Sequence, residues 1–262
     1  MLKAINLDAI KKIVYNTGRE ILTIYEKDFE VIYKDDKSPL TEADTISNKI
    51  ICSQLKELYP EIPILSEENK EVAFETRKDW KYYWCIDPID GTKEFIKKNG
   101  EFTINIALIH RDIPVLGVVY APVLNKMYYS KKGEGAYLNG EKLPLNISKN
   151  NFNIVASKSH VSKETEDFIE LLRSTYENLE LVSKGSSLKL CMVAEGIADI
   201  YPRLAPTMEW DTAAAHAIVL ESGKNVYLYN EDIDPQAYFS SEDLVSLKYN
   251  KKNLLNPFFV VA

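Results

Sequence analysis

Three acidic clusters carry side chains able to do chemistry: Ser66-Glu67-Glu68-Asn69, Asp87-Pro88-Ile89-Asp90-Gly91-Thr92 and Trp210-Asp211-Thr212-Ala213-Ala214. In the middle cluster two carboxylates stand three residues apart, directly after the apolar run Tyr82-Tyr83-Trp84-Cys85-Ile86. Pro88 and Gly91 turn the chain there, so both carboxylates can project from a strand end toward one point. Carboxylate and carbonyl oxygens are the donors that hard divalent cations prefer. Gly91 and Thr92 can also open a helix whose N–H groups face a phosphate. Each cluster has a plainer reading by itself. Glu67-Glu68 reads as a solvated surface pair, Asp-Pro-x-Asp-Gly as a turn, and Asp211 as a helix N-cap. Only the three together argue for chemistry.

The flanking sequence says what must position them. Apolar residues at Leu7, Ile10, Ile13, Val14, Ile21, Leu22 and Tyr25 give one buried helical stripe. A second amphipathic helix carries Ile46, Ile50, Ile51, Leu55 and Leu58, with Thr41 at the N-cap position and Pro60 beyond its end. Strand-like runs follow at 102–109, 115–120 and 126–130, and Asn139-Gly140 marks a hairpin turn. Beyond residue 150 the pattern alternates. Strand-like 154–156, 179–182 and 198–201 are interleaved with helix-like 163–172, 187–195 and 212–221. The expected fold is an α+β / α/β layered sandwich of two subdomains. Residues 1–150 would carry an antiparallel sheet and most of the acidic residues, and 151–262 an α/β unit with Asp211. The tail after Gly223 is too weakly patterned to assign.

Composition narrows the function classes. Of 262 residues, 45% are hydrophobic and 27% charged, an ordinary globular balance. A net charge of −7 argues against a nucleic-acid polymer as partner. An acidic protein can still take a small anion if a cation inverts the local field. Cys52, Cys85 and Cys191 are scattered and form no CxxC, as expected of reduced thiols in the cytoplasm. No signal peptide or membrane-spanning run is expected, and no protein partner is implied. His110 and His216 form no zinc motif, and there is no GxGxxG, Walker loop or GxSxG.

The ordered set of an acidic pair, Asp-Pro-Ile-Asp-Gly-Thr and Trp-Asp-Thr-Ala resembles the inositol monophosphatase superfamily of metal-dependent, lithium-sensitive phosphatases. Further stretches are similar to its CysQ-type 3′(2′),5′-bisphosphate nucleotidases. These are Thr92-Lys93-Glu94-Phe95-Ile96, Asn99-Gly100-Glu101-Phe102-Thr103, Gly185-Ser186-Ser187-Leu188-Lys189 and Tyr201-Pro202-Arg203. The resemblance runs from about Thr41 to Gly223. It implies two or three Mg²⁺ ions held by Glu67, Asp87, Asp90 and Asp211 and by the backbone carbonyl of Ile89. Asp44 would pair with Thr92 and, with Glu67, orient and activate the attacking water. Gly91, Thr92, Lys93, His160, Ser186, Lys189, Arg203 and Asp211 would contact substrate.

The chemistry is self-consistent. A phosphate monoester is a dianion that repels hydroxide, and two divalent ions about 4 Å apart can neutralise it and hold nucleophile and leaving oxygen. The implied activity is hydrolysis of the 3′-phosphate of adenosine 3′,5′-bisphosphate, with 3′-phosphoadenosine 5′-phosphosulfate as a second candidate. The implied setting is sulfur assimilation in the cytoplasm, with peripheral attachment to the inner membrane face in some relatives. Two rivals use the same residues: an inositol-1-phosphate or sugar phosphatase, and a non-catalytic magnesium- or nucleotide-binding module. Lys189 and Arg203 favour the nucleotide, because a second phosphate needs extra cations. The Thr92–Asp44 pair favours catalysis, because binding alone does not need it.

Overall fold

A computed structural model describes residues 1–33, 39–156, 162–241 and 243–262. The chain opens with helix α1 (Leu7–Tyr25), whose first N–H groups at Asp8 and Ala9 are accepted by the Asn6 side chain. A short antiparallel pair, β1 (Val31–Tyr33) and β2 (Pro39–Thr41), leads into α2 (Glu42–Leu58). Thr41 is the N-cap of α2 and closes a capping box with Asp44. Then come β3 (Ile64–Ser66), the single turn α3 (Phe74–Arg77), β4 (Tyr82–Asp90) and the short α4 (Thr92–Ile96). Strands β5 (Thr103–His110), β6 (Ile113–Ala121), β7 (Lys126–Lys131), β8 (Ala136–Leu138) and β9 (Glu141–Lys142) complete a sheet in the order β3-β4-β5-β6-β7-β8-β9. Only the β3–β4 pairing is parallel.

The second half supplies β10 (Phe152–Ala156), α5 (Lys163–Arg173), β11 (Leu179–Ser183), α6 (Leu188–Glu195) and β12 (Tyr201–Arg203). Helix α7 (Glu209–Glu221), β13 (Val226–Leu228), a 3-10 turn at Pro235–Phe239 and β14 (Phe259–Val261) follow. Strands β10 and β11 pair in parallel, and β12-β14-β13 form an antiparallel trio. An Ile154–Ile200 bridge joins the two groups.

Side-chain alternation along the strands gives the layering. On β4, Trp84 and Ile86 pack with Ile10, Val14 and Ile51 of α1 and α2. Their neighbours Tyr83 and Cys85 face the other way, against Cys191, Ala214 and Ile218 of α6 and α7. The second sheet repeats this. Val155, Phe259 and Val261 point to α6 and α7, while Ile154 and Val260 pack with Phe168 and Leu172 of α5. The order is therefore α-β-α-β-α, with three cores between five layers. Helix α7 lies very close to β6: a Cβ on Gly117 would stand 2.1 Å from the Ala214 carbonyl oxygen.

Several boundaries differ from the sequence reading. The apolar strand expected to stop at Asp87 continues to Asp90. Asp87 faces Asn105 and Asp90 faces Thr103, so one extra residue bulges between them. Helix α7 starts at Glu209, one turn earlier than the apolar spacing indicated, because Asp211 caps it from within. The strand expected at 198–201 begins at Tyr201, with Ile200 only bridged. The weakly patterned tail supplies β13 and the central strand β14, where Pro202 and Val260 are partners. Among the described residues no helix is long and apolar enough to cross a membrane.

Candidate active site

The ends of β3 and β4 and the first turns of α2, α4 and α7 converge beside the seven-stranded sheet. The bulge after Asp87 turns the strand, and Gly91 at φ 93° makes the left-handed step into α4. Ser47 on α2 donates to the Pro88 carbonyl at 2.8 Å and fixes the turn from below. Asp44 is 2% exposed. Its Oδ2 accepts from Thr41 N–H and hydroxyl at 2.8 and 2.7 Å, and its Oδ1 accepts from the Thr92 hydroxyl at 3.2 Å. The first turns of α2 and α4 are thereby tied, and Thr92 is held by the acid it was expected to pair with.

Asp87 is 1% exposed, and one of its oxygens accepts from Ile89 N–H at 3.0 Å. Burial pushes its carboxyl well above the usual carboxylate range, and the nearby Glu67, Asp90, Asp211 and Asp44 push it further. Glu67 follows the end of β3 and donates its N–H to the Ile86 carbonyl, which brings it beside β4. Asp211 sits in the first turn of α7 and accepts from Met208 N–H at 2.8 Å. Half-buried at the cleft, its carboxyl is raised to about 8, first by the loss of water around it and then by Asp90. Its helix is anchored from behind. Buried Glu209 accepts from the N–H groups of Asn250 and Lys251 and from the Lys251 ammonium, and Asn256 donates to the Met208 carbonyl.

Asp90 is held by the second half of the chain. Its Oδ2 accepts from Ser187 N–H and hydroxyl, both at 2.6 Å, and lies 3.4 Å from the Asn105 amide. Mutually repelling carboxylates around a buried one, with Asp87 buried and Glu67, Asp90 and Asp211 half-buried beside it, are costly for a protein by themselves and favour a hard dication. The donors are all oxygen, and among the described residues the carboxylates of Asp90 and Asp211 are each engaged through Oδ2 alone. The residues present therefore fit magnesium. Among the described residues no three acidic, histidine or cysteine side chains already form a closed cage, so ligation would draw these groups together.

Beyond Asp90 and Asp211 opens a cleft of about 650 Å³, lined by Lys93, Lys97, Lys184, Lys189 and Arg203. Lys189 is 7% exposed and donates to the Ser186 carbonyl at 2.7 Å. Burial lowers its ammonium to about 8, although Asp90 pulls the other way. Ser186 Oγ and Arg203 Nε are buried with no hydrogen-bond partner among the described residues. Unsatisfied donors in a basic cleft are what a bound anion would satisfy. Gly91 also borders this cleft. His160, expected to contact substrate, lies outside the described residues.

A model of the inositol monophosphatase family matches residues 6–258. The chain belongs to that family. The 3′(2′),5′-bisphosphate nucleotidase CysQ of Salmonella typhimurium is 44% identical over 233 residues, covering 84% of this chain and 89% of that protein. CysQ of Haemophilus influenzae is 34% identical over 261 residues, covering 98% and 92%. The crystal structure of Bacteroides thetaiotaomicron CysQ, a bacterial member of the inositol monophosphatase family, superposes with a TM-score of 0.85. It is 41% identical, and the match covers 98% of this chain and 96% of that one.

Three further residues at the site were given no role from the sequence. Glu101 accepts from Lys184 and from Gly185 N–H, at 3.1 and 2.9 Å, and so closes one wall of the cleft. Asn105 and Ser187 link the strands to α6 and α7. Glu101 and Ser187 sit inside quoted stretches, but their roles depend on partners more than 80 residues away. Asn105 reads only as one polar residue in an apolar strand. That is the signal that could have found it.

Proposed function

We propose that this inositol monophosphatase family member is a magnesium-dependent 3′(2′),5′-bisphosphate nucleotidase that removes the 3′-phosphate of adenosine 3′,5′-bisphosphate. The observation that carries the reading is the pairing of two unlike surfaces. An acidic cluster around buried Asp87, suited to divalent cations, borders a cleft lined by five cationic side chains. A phosphate bound to the first would leave a second phosphate of the same nucleotide within the other. The identities to CysQ proteins support the same substrate class.

Glu67, Asp87, Asp90, Asp211 and the Ile89 carbonyl would hold the magnesium ions. When bound, magnesium would supply charge neutralisation for the phosphate and acidify the attacking water. The chain's own residues would do the rest. Thr92 Oγ1 accepts a hydrogen of the water as its own proton moves onto Asp44 Oδ1, already its acceptor at 3.2 Å. Burial raises the Asp44 carboxyl above its ordinary value, which suits it to receive that proton. The new bond forms between the water oxygen and phosphorus, the bond from phosphorus to the 3′-oxygen breaks, and that oxygen takes up a proton from solvent in the cleft, while the proton held on Asp44 returns to solvent. Lys189, Arg203, Lys93 and Ser186 would bind the remaining phosphate and fix the nucleotide's direction. Asp211 would tie the segment 151–262 to the ligands of 1–150, so the two subdomains would share the ion site.

The test is phosphate release from adenosine 3′,5′-bisphosphate and from inositol-1-phosphate, in magnesium, in EDTA and in magnesium plus lithium. Preference for the nucleotide, abolished by EDTA and suppressed by lithium, is expected. Equal or faster turnover of inositol phosphate would keep the acidic site and overturn the substrate. No magnesium-dependent release from either would leave a binding module.

A further inference from the structure

Ser187 joins groups that reach the acidic cluster from both halves of the chain. It is 1% exposed, at the N-terminus of α6. Its N–H and its hydroxyl both point to Asp90 Oδ2 at 2.6 Å, and the same hydroxyl lies 2.7 Å from the Asp211 carbonyl. Asn105, also 1% exposed, donates its amide to Ser187 Oγ at 2.8 Å. Asn105 in turn stands directly across the sheet from Asp87. A continuous path of hydrogen bonds therefore runs from the strand opposite Asp87, through one hydroxyl, to the Asp90 carboxylate and the backbone of Asp211.

The hydroxyl's chemistry makes this a constraint on geometry. A serine hydroxyl has one proton and two acceptor sites. The Asn105 amide occupies one acceptor site, which directs the proton toward Asp90 or Asp211. Both contacts are short, so the hydroxyl fixes the separation of the bulge after Asp87 from the first turn of α7. Asp90 comes from β4 and Asp211 from α7, and Ser187 can serve both at once, its N–H donating to Asp90 Oδ2 while its hydroxyl donates to the Asp211 carbonyl.

We infer that Ser187, oriented by Asn105, is a positioning residue that sets the spacing of the Asp90 and Asp211 carboxylates and so the affinity for magnesium. This rests on the assignment of Asp90 and Asp211 as ion ligands. Outer partners of ligating carboxylates typically change metal affinity by 10- to 100-fold when removed. A hydroxyl that only filled space would change stability but leave ion affinity where it was.

The experiment compares wild type with Ser187→Ala and Ser187→Thr. Magnesium binding is read by calorimetry on the substrate-free protein and by the magnesium-dependent rise in Tm, and activation is read as rate against magnesium concentration. Ser187→Ala is expected to weaken magnesium binding about 10-fold or more. Its KM for adenosine 3′,5′-bisphosphate at saturating magnesium should change by less than about twofold, because only ground-state nucleotide binding is then sampled. Ser187→Thr, which restores the hydroxyl, should recover most of the affinity. Asn105→Ala should shift it in the same direction, and decides the matter if Ser187→Ala does not fold. Unchanged magnesium affinity in the variant that folds would overturn the inference while leaving the nucleotidase reading intact. A wild type that neither binds nor responds to magnesium would instead sink the ion-site reading beneath it.

Discussion

At the residue scale, burial turns ordinary carboxylates into a reactive set. Asp44 holds Thr92 through one oxygen and Thr41 through the other, so its position is fixed from two helices. Replacing Asp44 by Asn, or Thr92 by Ala, should lower kcat by about 100-fold or more, the usual worth of a positioned acid–base group, with KM little changed. Steady-state kinetics on both variants check this; a loss confined to KM would contradict the proton route. The carboxylates of the acidic cluster were legible as types and spacing, since Asp-Pro-Ile-Asp-Gly-Thr announces itself. Ser187 and Asn105 were not, because a serine beside a helix and an asparagine in a strand are common, and only distance across the fold gives them roles.

At the element scale, α7 is the piece on which the site depends. It brings Asp211 to the cluster and is buried along its length against the sheet. The sequence showed its Ala-rich face but not how closely it packs, which depends on Gly117 in another element. Gly117→Ala would put a methyl group 2.1 Å from the Ala214 carbonyl oxygen. It is expected to cost about 3 kcal/mol or more, at the upper end of overpacking, readable by urea denaturation. A change below 1 kcal/mol would mean α7 can move away freely. On the same helix His216 is buried between Tyr249 and Asn225, and burial lowers its imidazole to about 4. Its neutral form is the folded one, so this contribution is complete above the unfolded value near 6.5. As pH falls from there to about 4 the unfolded chain takes up the proton first, and stability drops by about 1.4 kcal/mol per pH unit. His216→Asn should be less stable at pH 7 yet lack this slope, in denaturant titrations at several pH values. Parallel slopes in both proteins would place the protonation elsewhere.

At the scale of the whole molecule, five layers bring distant segments to one place. The layered sandwich was readable from strand and helix alternation, because periods of two and 3.6 residues leave distinct apolar patterns. The tail strands were not, because β14 lies between β12 and β13 with both faces covered and shows no alternation to read. If ions join Asp211 to Asp87 and Asp90, magnesium should stabilise the whole fold by ligand linkage. The magnesium-dependent rise in Tm should be smaller in Asp211→Asn than in wild type; equal rises would remove Asp211 from the ligand set.

The proposed activity requires one cleft to combine a cation-binding acidic cluster with a receptor for a second phosphate. The most direct measurement is kcat/KM for adenosine 3′,5′-bisphosphate against adenosine 3′-monophosphate in magnesium, for wild type and Arg203→Gln. A preference of about 10-fold or more for the bisphosphate is expected in wild type, since a charge-assisted contact to a second phosphate is worth about 1.5–3 kcal/mol. Arg203→Gln should shrink that preference while turning over the monophosphate as before. Equal use of the two substrates by wild type, or an Arg203→Gln loss that falls on both alike, would contradict it.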